Sequence, residues 1–197
     1  MKTEVVIIGG GPSGLLLSQL LNDAGVSTVV LERTTREHVL SRIRAGVLED
    51  GTMNLLRHAG VGARMDQQGL PHKGCYLTDN DLMVHIDFHK LIGKKVMVYG
   101  QTEVTRDLYD AQDRMGTTII HEVEDVVIDG ADSNAPTVSF TKDGQRQQIS
   151  CTYVAGCDGF HGVSRATIPA APKPCRKRSV SSDSKFHAIA HSSEKAM

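Results

Sequence analysis

The sequence predicts an α/β protein built on a parallel central sheet, and three stretches near its start predict it. Glu4–Gly9 is an unbroken apolar run rich in β-branched residues, the pattern of a strand covered on both faces. Ser13–Ala24 brings Leu16, Leu17, Leu20 and Leu21 round at helical spacing, and Gly25 stops it. Ser27–Leu31 is a second strand that ends directly at Glu32. Strand, helix and strand in that order make a right-handed parallel crossover, with the first strand expected at the centre of the sheet.

Composition excludes several classes. The 197-residue chain is 40% hydrophobic and 23% charged, enough to bury the core of one domain. Its 22 Lys+Arg balance 23 Asp+Glu, which excludes a globally basic nucleic-acid binder, so any phosphate is expected in a local site. An aromatic content of 4% without Trp argues against modules that stack sugars or bases on exposed rings. No apolar run approaches the ~20 residues of a membrane span, and no cleavable apolar segment opens the chain, so the expected location is cytoplasmic. Cys75, Cys151, Cys157 and Cys175 show neither C-x-x-C nor Cys/His metal spacing, and they are expected to be ordinary thiols with no metal site.

The turn between the first strand and helix reads Gly9-Gly10-Gly11-Pro12-Ser13-Gly14, a G-x-G-x-x-G. Dinucleotide binding needs glycines at these points: Gly9 permits the tight turn, Gly11 admits a pyrophosphate to the backbone, and Gly14 lets helix and strand pack closely. The helix start adds free N–H groups and the positive end of its dipole. Glu32 is placed to accept from a ribose hydroxyl and repels a 2′-phosphate, which fits FAD or NAD rather than NADP. The glycines alone do not separate FAD from NAD.

Farther along, Arg42 and Arg44 stand two apart before a predicted helix over Val47–Ala59, and they form either a fork for an anion or a pair of surface charges. Gly74–Phe88 reads as a hairpin around Asp79-Asn80-Asp81. Gln101 opens a helix capped by Thr102 or a neighbour, where its amide either reaches a ligand or is solvated. Thr118–Val123, Val126–Asp129, Thr137–Thr141 and Gln147–Ser150 are predicted strands, the last two joined through Lys142-Asp143-Gly144. From Tyr153 a buried strand is expected to run into a glycine-rich turn, with Asp158 at its carboxyl end and a solvent-reachable His161 after it.

Taken in order, the glycine fingerprint with Glu32, the R-I-R-A-G-V-L-E block from Arg42, Y-G-Q-T-E-V-T-R-D-L from Tyr99 and Y-V-A-G-C-D-G-F-H-G-V-S-R from Tyr153 closely resemble the 4-hydroxybenzoate 3-monooxygenase family of class A FAD-dependent aromatic hydroxylases. The resemblance covers residues 1–169. It implies a Rossmann-like, GR2-type FAD-binding fold with a parallel central sheet, joined to part of a β-rich substrate domain. It implies FAD contacts at Ser13, Glu32, Arg42, Arg44, Ala45, Gly46, Val47 and Gln101, and places Asp158 near the pyrophosphate and the nicotinamide route. Arg33, Arg42, Arg44 and His161 match positions that meet NADPH transiently, whereas Thr34 and His38 depart from NADPH-preferring members and leave NADPH or NADH open. In the family a nicotinamide reduces the flavin, which then delivers oxygen ortho to the phenol of 4-hydroxybenzoate, and the enzyme is a homodimer.

The composition breaks at residue 169. Residues 170–197 carry six serines and six Lys/Arg against two Asp/Glu, and only four large apolar residues, so they are expected to be a disordered tail, read as aberrant sequence. Arg176-Lys177-Arg178 is then a solvated run rather than a nucleic-acid patch. The family chain is about twice as long, so this one is expected to be a truncated form. It lacks the family's substrate-carboxylate and phenol-activating residues, and is expected to contain no catalytic residue and to be inactive alone. The competing readings are a non-enzymatic FAD or dinucleotide module and an NAD-dependent dehydrogenase, the latter without a Tyr-Lys or Ser-His arrangement to support it.

Overall fold

Val5–Ile8 of the first apolar run are all buried because the strand they form is sandwiched, with alternate side chains taken up by different layers. The computed structural model describes residues 1–42 and 44–168, and the backbone of 187–189. In chain order the elements are β1 (Val5–Ile8), α1 (Pro12–Asp23), β2 (Thr28–Leu31), α2 (Arg36–Ser41), β3 (Val47–Leu48), α3 (Asp50–His58), α4 (Ala63–Gln68), β4 (Leu70–His72), β5 (Gly74–Asp79) and β6 (Leu82–Asp87). There follow α5 (Phe88–Ile92), β7 (Val96–Val98), α6 (Gln101–Met115), β8 (Thr118–Ile120), β9 (Glu124–Asp129), β10 (Thr137–Lys142), β11 (Gln145–Ser150), β12 (Tyr153–Gly156), α7 (Ser164–Thr167) and β13 (His187–Ile189).

Four parallel strands in the order β12-β1-β2-β8 form the central sheet, with β1 inside it as expected. Val5 and Ile7 face the helical side and meet Leu17 and Leu21 of α1. Val6 and Ile8 face the other way, against Val138, Phe140 and Ile149 of an antiparallel sheet ordered β11-β10-β9. A third cluster joins α1 to α3, α4 and α6 through Leu15, Leu56, Met65 and Leu108. Helices, parallel sheet and antiparallel sheet therefore stack as three layers, a GR2-type arrangement. The β10-β11 hairpin turns at Asp143-Gly144, both at positive φ, as a two-residue loop between right-twisted strands requires.

Several expectations are corrected. The helix expected over Val47–Ala59 starts only at Asp50, because Val47 and Leu48 pair antiparallel with Val98 and Met97 of β7. The strand expected to reach Val123 ends at Ile120; Glu122 takes φ 58 and the chain turns, with the Val123 N–H donating to the Glu32 carbonyl. The strand from Tyr153 was expected to be buried, yet it is the edge of the parallel sheet and Tyr153 is exposed. Helix α6 is capped by Gly100 without a side-chain bond, since Thr102 already lies inside its first turn. On α1 the deeply buried positions are Gly14, Leu15, Ser18 and Gln19 rather than the four leucines. The polar pair tolerates burial because Ser18 bonds Thr28 and Gln112, and Gln112 bonds Gln19. Of the tail expected from residue 170, residues 187–189 run as a strand beside β5; the rest, including Cys175 and Arg176-Lys177-Arg178, lies outside the described residues.

Candidate functional site

The glycine turn is held in shape from beneath. Gly9 sits at φ 111, where an L side chain is strained, and a Cβ there would collide with the Cys157 carbonyl. A Cβ on Gly14 would collide with the Gly9 carbonyl oxygen, so the first turn of α1 rests directly on the loop. Gly11 is the opposite case, with open space where a Cβ would stand. Pro12 begins α1, and no side chain caps it, so its first-turn N–H groups are open to an anion.

These features open into a cleft of about 480 Å³ at the carboxyl ends of β1, β2 and β12, where open α/β sheets place ligands. Of the residues expected from the sequence, Gly9, Gly11, Glu32, Arg33, Arg42, Arg44, Gln101, Asp158 and His161 all line it. Ser13 and Gly14 do not: Ser13 is exposed in the first turn of α1, and Gly14 is packed beneath it. Ala45, Gly46 and Val47 also stand off the lining. Val47 is exposed in β3, and the Gly46 carbonyl accepts from the Tyr99 N–H at 2.7 Å, which ties the arginine loop to the start of α6.

Glu32 is buried, and its carboxylate is already in use. Oε2 accepts from the Gly10 N–H at 2.7 Å, and Oε1 accepts from the Thr34 N–H and hydroxyl at 2.9 and 2.7 Å. The acid thus joins the end of β2 to the glycine loop while still bordering the cleft. Asp158 is likewise engaged, accepting from the Ser164 N–H at 3.0 Å across the turn that carries His161. Burial, with Asp158 nearby, pushes the Cys157 thiol above its ordinary range, which makes it a poor nucleophile.

Sequence reasoning missed Gly10, where a Cβ would stand 2.9 Å from that of Glu32, and Thr34, whose two donors fix the acid. It also missed Val123–Val126, which supply the far wall. A third consecutive glycine was visible as a signal; the wall was not, because it follows an irregular turn.

A family model described as FAD binding domain matches residues 2–192. The chain belongs to the FAD-binding-domain family. The matched span passes the composition break at residue 169. The p-hydroxybenzoate hydroxylase of Acinetobacter baylyi is 48% identical over 170 residues, covering 86% of this chain and 42% of that protein. Among solved structures, the OxyS anhydrotetracycline hydroxylase of Streptomyces rimosus superposes with a TM-score of 0.67 at 27% identity, covering 81% of this chain and 32% of that one. The p-nitrophenol 4-monooxygenase PnpA of Pseudomonas putida reaches 0.71 at 23% identity over 85% and 44%, a likeness of fold. The chain thus spans less than half the length of these relatives. Among the described residues no helix is long and apolar enough to cross a membrane, no cluster suits a metal ion, and Cys75, Cys151 and Cys157 are free.

Proposed function

We propose that the cleft holds FAD, and that the chain is the flavin-binding part of a cytoplasmic monooxygenase that hydroxylates 4-hydroxybenzoate to 3,4-dihydroxybenzoate with a nicotinamide cosubstrate and dioxygen. The observation that carries this reading is the convergence of the open Gly11 backbone, the uncapped start of α1, Glu32 and Asp158 on one cleft. The 48% identity to a p-hydroxybenzoate hydroxylase supports the substrate class. The residues fit the cofactor: the wall at Gly11 has no side chain to displace, and the N–H groups beyond it suit a pyrophosphate.

Bound there, FAD supplies the redox and oxygen chemistry, and the protein supplies position and electrostatics. The first-turn amides of α1 would hold the pyrophosphate. Glu32 keeps one accepting direction on Oε2 that would take a ribose hydroxyl. Arg42, Arg44 and Gln101 line the cleft and would contact the cofactor. Asp158 shapes the turn on which His161 stands, and His161 and Arg33 would meet the NADPH or NADH that reduces the flavin.

The test is to load the chain with FAD and record the flavin retained after desalting. The expected outcome is retained flavin, and failure of the folded chain to hold it would overturn the cofactor reading. An NAD-dependent dehydrogenase would instead show nicotinamide binding without flavin.

A further inference from the structure

The glycine loop is gripped at one residue, through the two peptide units that flank it. Gly10 donates its N–H to Glu32, and its carbonyl accepts from the Tyr109 hydroxyl at 3.2 Å, a buried bond between residues 99 positions apart. Tyr109 belongs to α6, is fully buried and does not border the cleft. Its ring is itself held: the Arg36 guanidinium lies 4.6 Å from the ring centroid and pairs with Asp110 and Asp113 of the same helix, while His121 packs at 5.7 Å. Burial and the nearby Glu32 charge push the phenol well above its ordinary range, so the hydroxyl stays a donor.

We infer that Tyr109 is a positioning residue for the glycine loop: it fixes the Gly10–Gly11 peptide unit through the Gly10 carbonyl, while Glu32 fixes the Gly9–Gly10 unit through the Gly10 N–H, so that the Gly11 backbone is preorganised for a pyrophosphate. Gly10 is flanked by glycines and has no side chain of its own to anchor it, so these two bonds orient the two peptide units that meet at its Cα. A loop that must be ordered on binding weakens its ligand by the cost of ordering it. Tyr109 removes that cost from 99 positions away, through a helix that the sequence alone does not connect to the loop.

The test is Tyr109→Phe in the full chain, which keeps the ring and removes one bond. Without ligand, amide hydrogen exchange at Gly10 and Gly11 is expected to speed up by about two- to tenfold, the range of one buried hydrogen bond, while amides in the rest of α6 exchange as before. An unchanged Gly10 rate, or faster exchange throughout α6, overturns the proposal. The second arm rests on the proposed flavin site and uses ADP and adenosine as competitors against FAD. ADP is expected to weaken by about two- to tenfold and adenosine to be unaffected; equal losses for both overturn the positioning role. A wild-type chain that binds no FAD removes the flavin reading and leaves the exchange arm to decide on Tyr109.

Discussion

The β1-α1-β2 unit and the β5-β6 hairpin are made from similar apolar residues and end in opposite environments. All four residues of β1 and all four of β2 are buried, whereas Leu82, Met83 and Val84 of β6 are exposed, Leu82 at 64%. The difference is not propensity, because both are well-formed strands with regular pairing. It is coverage: β1 lies between α1 and the β9-β10-β11 sheet, while β6 is the edge of a sheet ordered β13-β5-β6. A strand's contribution to stability therefore follows what lies against it, and the cleft sits at the end of the well-covered unit.

That contrast can be broken at both ends. Ile7→Ala deletes most of a fully buried side chain between sheet and α1 and is expected to cost about 3–4 kcal/mol in urea unfolding. Gly14→Ala drives a methyl group against the Gly9 carbonyl and is expected to cost about 2–3 kcal/mol and to lose flavin retention as well. A smaller effect is expected at Arg64, which pairs with Glu103 and Asp107 while the Tyr99 hydroxyl donates to Asp107, so that the network ties α4 to the start of α6. Pairing with Arg64 and Arg106 holds the Glu103 carboxyl below its ordinary 4.5. Its stabilisation is therefore present above about pH 4.5 and is lost as pH falls through the lower value in the folded state. Arg64→Met is expected to flatten that acid limb, by under about 1 kcal/mol for a partly exposed pair, in melts recorded from pH 6 to 3. Least of all, Leu82→Ser is expected to stay within about 0.5 kcal/mol of the parent. A loss there as great as that at Ile7 would mean that β6 is covered.

Much of the covered unit was legible in the sequence, because its signals are local: an apolar run, a glycine fingerprint and an acid at a strand end. The nine residues singled out in the sequence that line the cleft come from segments whose motifs carry their own geometry, such as Gly9-Gly14 and Cys157-Asp158-Gly159. What was not legible depends on contacts between distant segments. Val47 and Leu48 read as helix because nothing local announces β7 as their partner, and the burial of Ser18 and Gln19 depends on Gln112, which lies far along the chain. Glu32 was read as a ribose acceptor, and its role as a brace for Gly10 and Thr34 emerges only when the loop folds back over it.

The most direct measurement is the visible spectrum of the chain after incubation with excess FAD and desalting, taken beside Glu32→Ala. The account predicts a retained flavin band for the parent and a much weaker one for the variant, which stays folded by circular dichroism but leaves the Gly10 N–H unpaired. A cooperatively melting parent chain with no flavin band would contradict it.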